Sequence, residues 1–407
     1  MNVLIVGGGA AGLMAAGAAG RQGHTVTVVE RNPRPARKVM ITGKGRCNVT
    51  NNCSIDTFIA HVPENARFLY SSLNAFSPQD TMALFESLGV PLKTERGNRV
   101  FPVSDKAVDI VDALVNYAKK GGACFTEGRV TQLVITDGVC TGVKLEDGST
   151  LTADRVIVAT GGCSYPGTGS TGDGYALARQ AGHTVIEPRP SLVALSSPDL
   201  FCATMQGLSL KNCGLQVRDN EKNKILYSDL GEMLFTHFGV SGPMVLSASA
   251  HMRQMRAGRY TLIIDWKPGL TPEQLDARIL RDFAERSNMD LSNALGKLLP
   301  RLLIPVMLEL CQVKPVKKCH AVTREERLRL VQGIKAMPVE ISGFRPLSEA
   351  IVTAGGVSVK EINAKTMESK LVPGLYFAGE VLDVDAYTGG FNLQIAFSTG
   401  QAAGNAI

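Results

Sequence analysis

Three stretches of this chain carry residue types at spacings that suit chemistry on a nucleotide. The first is Gly7-x-Gly9-x-x-Gly12, with Ala10 and Ala11 between its glycines. In such a fingerprint the first Gly permits a tight turn. The second lets a pyrophosphate approach the backbone, and the third lets a helix pack on a strand. The N-terminus of that helix offers free N–H groups and a positive dipole end to the phosphates. Glu30 closes the next apolar run, at about the 20-residue distance expected of an acid that accepts ribose hydroxyls. The glycine pattern alone is weak; its flanks and the acid make it a dinucleotide site. Gly167-x-Gly169-x-x-Gly172 repeats the pattern after Pro166. It has no strand before it and no acid-ended strand after it. It reads as a loop entering a helix near Asp173–Ala181, so one dinucleotide site is expected and no separate NAD(P)H domain.

The second stretch, Thr42-Gly43-Lys44-Gly45-Arg46-Cys47-Asn48-Val49-Thr50-Asn51, packs glycines, two cations, a thiol and amides into ten residues. Its position makes the backbone run beside the bound dinucleotide. Lys38, Lys44 and Arg46 suit the diphosphate; Cys47, Asn48 and Asn51 suit the reactive ring. The plainer reading is a solvated basic loop with a buried Cys. The third stretch is Leu375–Glu380, then Asp383, then Gly389-Gly390-Phe391-Asn392. A strand ending in Gly379-Glu380 and a Gly-Gly helix start suit a flavin. The acid bonds a ribityl hydroxyl, and the helix N-terminus stabilises negative charge on the reduced ring. His237, in Phe235-Thr236-His237-Phe238-Gly239, is a proton-donor candidate, with a hydrogen-bonded structural His as the equal alternative. Tyr165, Tyr387 and Arg345 are further donors, read as structural or cofactor-positioning.

These residues need elements to hold them. Asn2–Val6 reads as a strand, Leu13–Gln22 as a helix and Thr25–Val29 as a second strand, a β-α-β opening of the kind that builds parallel sheets. Gly128–Thr136, Val139–Leu145 and Arg155–Ala159 read as strands joined by Asp137-Gly138 and Asp147-Gly148 turns, an antiparallel meander. Strands at Leu192–Leu195, Leu208–Val217 and Tyr260–Asp265 follow. Capping boxes start helices at Thr271 and Thr323, and Leu291–Val313 is helical in pattern with breaks at Pro300 and Pro305. The α/β pattern resumes at Ala350–Val357 and ends on a helix from about Phe391. The fold class is therefore α/β: a Rossmann-like domain with a meander, residues 1–190 and 346–407, interrupted by an insert over 191–345.

The chain has 407 residues, 44% hydrophobic and 20% charged, with a net charge of +6. Disorder is excluded as the dominant state, and the charge fits an anionic cofactor or nucleic acid without proving either. Nine cysteines without a CxxC argue against a disulfide framework or a zinc-finger array and fit a reducing cytosol. Met1–Gly20 lacks charge, yet its Gly and Ala content fits a strand, turn and helix better than a membrane span or a signal peptide. The basic runs at His251–Arg259 and Lys314–Arg329 are possible RNA footprints, although a charge run is usually a solvated face.

The blocks Gly7–Gly12, GKGRCNVTN (43–51), ATGGCSYPGTGSTGDGYALA (159–178), GEMLFTHFGVSGP (231–243), VTAGGV (352–357) and GLYFAGEVLDVDAYTGGFNLQIAFSTG (374–400) resemble the BaiN/RdsA family of NAD(P)/FAD-dependent oxidoreductases, the YhiN-type flavoproteins. The resemblance spans essentially the whole chain. It implies an FAD domain related to the fumarate reductase and succinate dehydrogenase flavoproteins, with an inserted β-barrel-plus-helices domain as substrate domain or cap. It places Gly45, Arg46, Cys47 and Asn48 near the isoalloxazine and Val130 against adenine. It adds Arg31 and Ala159-Thr160-Gly161 to the cofactor-binding set. It further implies hydride transfer through flavin N5, with NAD(P)H as transient reductant. The best substrate is a uridine of large-subunit ribosomal RNA, reduced to dihydrouridine. The alternatives are a small-molecule enone reductase or aminoketone oxidase, and an FAD-bound RNA-binding or ribosome-assembly factor. His237 is expected as the acid. Cys47 is expected as a flavin or substrate contact, its thiolate favoured by Lys44 and Arg46. No CxxxxC pair supports disulfide reductase chemistry, and no His-Arg constellation maps onto fumarate reduction.

Overall fold

A computed structural model describes residues 1–407. The opening apolar run forms the strand Asn2–Val6, which lies between Arg155–Val158 on one side and Thr25–Glu30 on the other. With Leu375–Phe377 and Cys124–Glu127 at the edges it makes a five-stranded parallel sheet. Buried on both faces, such strands read as continuous Val/Ile runs; Val3, Ile5, Val28, Val156 and Ile157 are all shut from solvent. The chargeless N-terminus is thus a strand, a turn and the helix Ala10–Arg21. No helix of the chain is long and apolar enough to cross a membrane.

Small residues in that helix permit close approach of a second helix, Phe391–Asn405. A Cβ on Gly400 would stand 2.3 Å from the Ala11 carbonyl oxygen, and one on Gly404 would stand 2.5 Å from that of Ala15. The meander Val130–Thr136, Val139–Leu145 and Thr150–Thr152 forms a three-stranded antiparallel sheet. Asp137 and Gly138 both take positive φ, 50° and 79°, the geometry of a tight hairpin turn. Two smaller antiparallel pieces complete this part: Val185–Ser191 with Val352–Val357, and Thr50–Asn51 with Arg99–Pro102 and Leu92–Glu95.

The chain divides into two compact units, Met1–Ser191 with Pro346–Ile407, and Leu192–Arg345. The second has its own apolar core, including Leu215, Phe235, Leu262, Leu303 and Val339. Its seven strands form one antiparallel sheet, with Met337–Ile341 at one edge and Gly343–Phe344 at the other. Only Ser342 separates those two strands, and consecutive Cα atoms are about 3.8 Å apart. The sheet therefore curls until its edges nearly meet, which is the barrel-like form. Capping boxes open the helices Pro272–Glu285 and Arg324–Lys335. Two expectations for this unit need correction. Lys224–Thr236, a 13-residue strand paired along Ser209–Asp219, has no counterpart in the sequence reading. Pro305 breaks nothing: it sits in the first turn of Leu303–Leu310, where its missing N–H would have had no intrahelical partner.

Candidate active site

A cleft of about 210 Å³ runs through the first unit, and every residue lining it belongs to that unit. Its walls come from the Gly-rich turn, Glu30–Asn32, Ala36–Val39, Gly128–Val130, Ala159–Gly161, Ala378–Glu380 and the start of the last helix. The chain reverses sharply at Gly7, with φ 103°, and its Cβ position lies 2.6 Å from the Ala159 carbonyl oxygen. A Cβ on Gly12 would stand 1.9 Å from the Gly7 carbonyl oxygen, so no other residue fits either place. Gly9, Ala10 and Ala11 line the cleft, and Gly12 packs beneath it.

Glu30 lines the cleft with its carboxylate anchored. Oε2 accepts the Gly8 N–H at 2.7 Å, while Oε1 accepts the Asn32 backbone N–H at 2.8 Å and side-chain amide at 2.6 Å. An ionised carboxylate has about four acceptor positions, so capacity for a hydroxyl remains. Arg31 donates to Thr171 Oγ1 at 2.6 Å and pairs with Asp173 at 3.2 Å. Arg129 grips the same Asp173 through Nε at 2.9 Å and Nη2 at 3.0 Å, and chiefly this bond holds the Asp173 pKa below the usual carboxylate range. Val130 follows, buried in the cleft wall.

Lys38 and Glu380 face each other inside the cleft. The ammonium is 2.6 Å and 2.9 Å from the two carboxylate oxygens and 2.6 Å from Ser164 Oγ. Glu380 Oε1 also accepts the Thr353 N–H at 2.9 Å, and Thr353 Oγ1 accepts the N–H groups of Cys163 and Ser164. Asn32, Arg129, Ser164, Thr353 and Asp173 have no roles in the sequence reading. The blocks 159–178 and 352–357 contain three of them, but only the fold joins Thr353 to Glu380. Gly379 takes φ 79°, and its N–H is bonded to Thr399 Oγ1.

The basic stretch and the last helix come together. Gly390, at φ 99°, has its Cβ position 2.3 Å from the Thr50 carbonyl oxygen, and Asn51 Nδ2 donates to the Gly389 carbonyl at 3.0 Å. Asn392 lines the cleft and clasps the preceding loop, accepting the Ala386 N–H at 2.9 Å and donating to its carbonyl at 2.7 Å. The Phe391 ring packs in the core against Phe58 and His61, so this residue can face a cofactor only through its backbone at the helix start.

The Arg46 expectation is also corrected. Arg46 does not line the cleft; it pairs with Glu95 and Asp105 and lies over the Phe101 ring at 4.2 Å. Its charge is thereby met by carboxylates. Gly45, with open space at its Cβ position, serves the turn. The thiolate expectation for Cys47 is reversed: the thiol is fully buried, and burial pushes its pKa up to about 12. Lys44, one source of the supposed stabilisation, is exposed. Cys47 is thus a neutral thiol at physiological pH. His237 lies in the second unit, exposed in the turn between Lys224–Thr236 and Gly239–Ser241, with its ring against Phe238.

The cleft suits an FAD molecule on its own evidence. Thr160 Oγ1, in the cleft wall, is buried with no hydrogen-bond partner. Unmet buried polar atoms are costly, and a hydroxyl- and amide-rich ligand supplies partners. The two helix starts at Ala10 and Phe391 present free N–H groups to it. Gly7–Ala11 would hold the pyrophosphate, Glu30 the ribose, Val130 the adenine and Glu380 the ribityl chain.

The sequence matches the profile of the "HI0933-like protein Rossmann domain" over residues 1–406. The chain belongs to this family. As an HI0933-like protein it is an FAD-dependent oxidoreductase. Among its relatives is the "Ribosomal RNA dihydrouridine synthase" of Escherichia coli (strain K12), 31% identical over 98% of this chain and 96% of the relative. Another is the "3-dehydro-bile acid delta(4,6)-reductase" of Clostridium scindens, 32% identical over 99% of this chain and 98% of the relative. The HI0933-like fold is shared with a 3-ketosteroid-delta4-(5alpha)-dehydrogenase from Rhodococcus jostii RHA1. The TM-score is 0.51 at 16% identity, covering 99% of this chain and 96% of that one.

Proposed function

We propose that this HI0933-like protein saturates a carbon–carbon double bond conjugated to a carbonyl, and that its substrate is a uridine of large-subunit ribosomal RNA. The observation that carries the first part is chemical. The full-length relatives are named for two substrates, a ribosomal uridine and a bile-acid derivative with unsaturation at positions 4 and 6. Both names describe adding hydride and proton across an enone. FAD bound in the cleft supplies the hydride. NAD(P)H is proposed as its reductant, in alternation with substrate, since the chain has a single Gly-rich strand-turn-helix site followed by an acid. Gly7–Ala11 and Lys38 orient the cofactor, while Asn392 holds the loop 386–387 against the last helix. The unit 192–345 is proposed as the cap that carries substrate contacts, His237 among them. A base must leave its stack to be reduced.

A second reading, a small-molecule enone, is favoured by one feature of the basic runs. Five of their nine Lys and Arg side chains are met by carboxylates of their own unit: Arg259 by Asp219, Arg256 by Glu221, Lys317 by Glu326, Lys318 by Asp290 and Arg327 by Asp276. Paired cations bind phosphate less readily than free ones. Mass spectrometry of ribosomal RNA from a deletion strain separates the two readings. Loss of a dihydrouridine, restored by the gene, supports the RNA substrate. An unchanged modification pattern removes it.

A further inference from the structure

The positive charge of this chain is not spread evenly. Residues 192–345 contain 21 Lys and Arg against 15 Asp and Glu, whereas the unit that holds the cofactor cleft contains 22 of each. The whole net charge of +6 therefore belongs to the second unit. An anionic cofactor does not account for it, because every residue lining the cleft lies in the neutral unit. Charge concentrated on one part of a molecule draws a polyanion to that part.

Within the second unit the excess lies in the helical stretch 266–336, with 13 Lys and Arg against 8 Asp and Glu. Residues 314–329 are its densest part, six cations against Glu325 and Glu326. The fold gathers this run into one patch. Arg329, on the helix Arg324–Lys335, donates through Nε to the Cys311 carbonyl at 2.8 Å. That bond ties the helix to the chain just before Lys314, where a turn is closed by the Lys317 N–H on the Lys314 carbonyl at 3.1 Å. From this turn the Lys317 ammonium reaches Glu326 on the same helix at 2.7 Å. Glu326 also accepts the Thr323 N–H at 2.8 Å, so its charge is shared between a cation and the helix cap. The ion pairs noted above leave three cations over. Lys314 and Arg324 are exposed without a carboxylate partner, and Arg329 meets only the Cys311 and Gln312 carbonyls.

We propose that the patch formed by the turn 314–317 and the helix Arg324–Lys335 is the surface on which RNA docks through its phosphates. This rests on the RNA reading above and adds to it the place of contact. Residues 314–329 include no Phe, Tyr or Trp, so the patch offers no such ring on which a base could stack. Phosphate contacts position a nucleic acid without reading its sequence. The patch thus supplies affinity and orientation, and the choice of uridine is made elsewhere.

The test is a salt series with full-length, flavin-loaded protein and a fluorescently labelled fragment of large-subunit ribosomal RNA. Lys314→Gln with Arg324→Gln removes two charges from the patch. Lys119→Gln with Lys120→Gln, both exposed on the first unit, removes two elsewhere. At about 0.1 M salt the patch pair should weaken binding on the order of tenfold, and the slope of log affinity against log salt should shrink by about 1.4–1.8, the value of two phosphate contacts. The control pair should leave both unchanged, and both variants should keep their flavin. Unchanged binding in the patch pair, an equal loss in the control pair, or a loss seen only with phosphatidylglycerol vesicles overturns the proposal. With ribosomal RNA from a deletion strain as substrate, the patch pair should raise KM for dihydrouridine formation and keep kcat. An unchanged KM overturns the docking surface and keeps the substrate. A wild type that binds RNA through this patch but forms no dihydrouridine overturns the substrate and keeps the surface.

Discussion

Lys38 and Glu380 neutralise each other where a dinucleotide carries its charge and hydroxyls. The pair keeps a carboxylate in the cleft from repelling diphosphate, and Ser164 and Thr353 fix its orientation. Lys38→Met should leave Glu380 charged and weakly compensated. A charge-assisted bond contributes about 1.5–3 kcal/mol, so FAD affinity should fall on the order of tenfold or more, read by fluorescence titration of the apoprotein. Asp385, 5% exposed and bonded by Ser191 Oγ at 2.6 Å, gives stability a pH signature. Its folded pKa lies above the ordinary Asp value, 3.8 against about 6, so the native state holds the proton more tightly than the unfolded chain. Stability is full below the unfolded pKa and falls as pH rises through the folded one, by up to about 3 kcal/mol at 1.36 kcal/mol per unit. Asp385→Asn should flatten that slope in urea melts across the window. The cysteines give a third check. Cys124 is exposed and Cys163 half-buried, while the other seven are buried, and burial raises the Cys47 and Cys163 thiols. A thiol reagent should therefore find one fast site in the native protein, lost in Cys124→Ser, and nine after unfolding.

Helix contact governs the next scale. Ala10–Arg21 and Phe391–Asn405 touch through backbone, and both begin at the cofactor cleft. Gly400→Ala would push a methyl to 2.3 Å from the Ala11 carbonyl oxygen. Overpacking of this kind costs about 1–3 kcal/mol, so the melting temperature should drop. Flavin content should drop with it, because the same shift moves Asn392 and the N–H groups that face the ligand. Absorbance of the purified variant tests the second effect, and a normal yellow protein with a normal melting point would contradict the packing account. The Gly and Ala content of the first helix was legible in the chain. The crossing partner was not, because Gly and Ala permit close contact without specifying what approaches.

On the scale of the molecule, the cleft belongs wholly to the first unit and the second has a core of its own. Replacing residues 192–345 by a short linker is feasible in geometry, since Ser191 already stands opposite Val352 in a ladder. The shortened protein should retain FAD while losing substrate reduction. The excised 192–345 piece should unfold cooperatively by itself in circular dichroism. A shortened chain unable to bind flavin would show that the cofactor fold depends on the insert.

Local chemistry was readable from residue order. The Gly7–Gly12 turn, the Glu30 anchor, the Asp137-Gly138 hairpin and the two capping boxes each depend on side chains a few residues apart, or on φ values only a few residue types adopt. The α/β class followed from their arrangement. What tertiary structure decided was partnership across the chain. Lys38 meets Glu380 over 342 positions and Asp385 meets Ser191 over 194, distances at which spacing carries no signal. Burial decided the rest. Lys44 and Arg46 beside Cys47 suggest a thiolate in a linear reading. In the fold, one is exposed and the other is bound by Glu95 and Asp105, and the enclosed sulfur keeps its proton because burial of a charge there costs more than the Thr42 hydrogen bond returns.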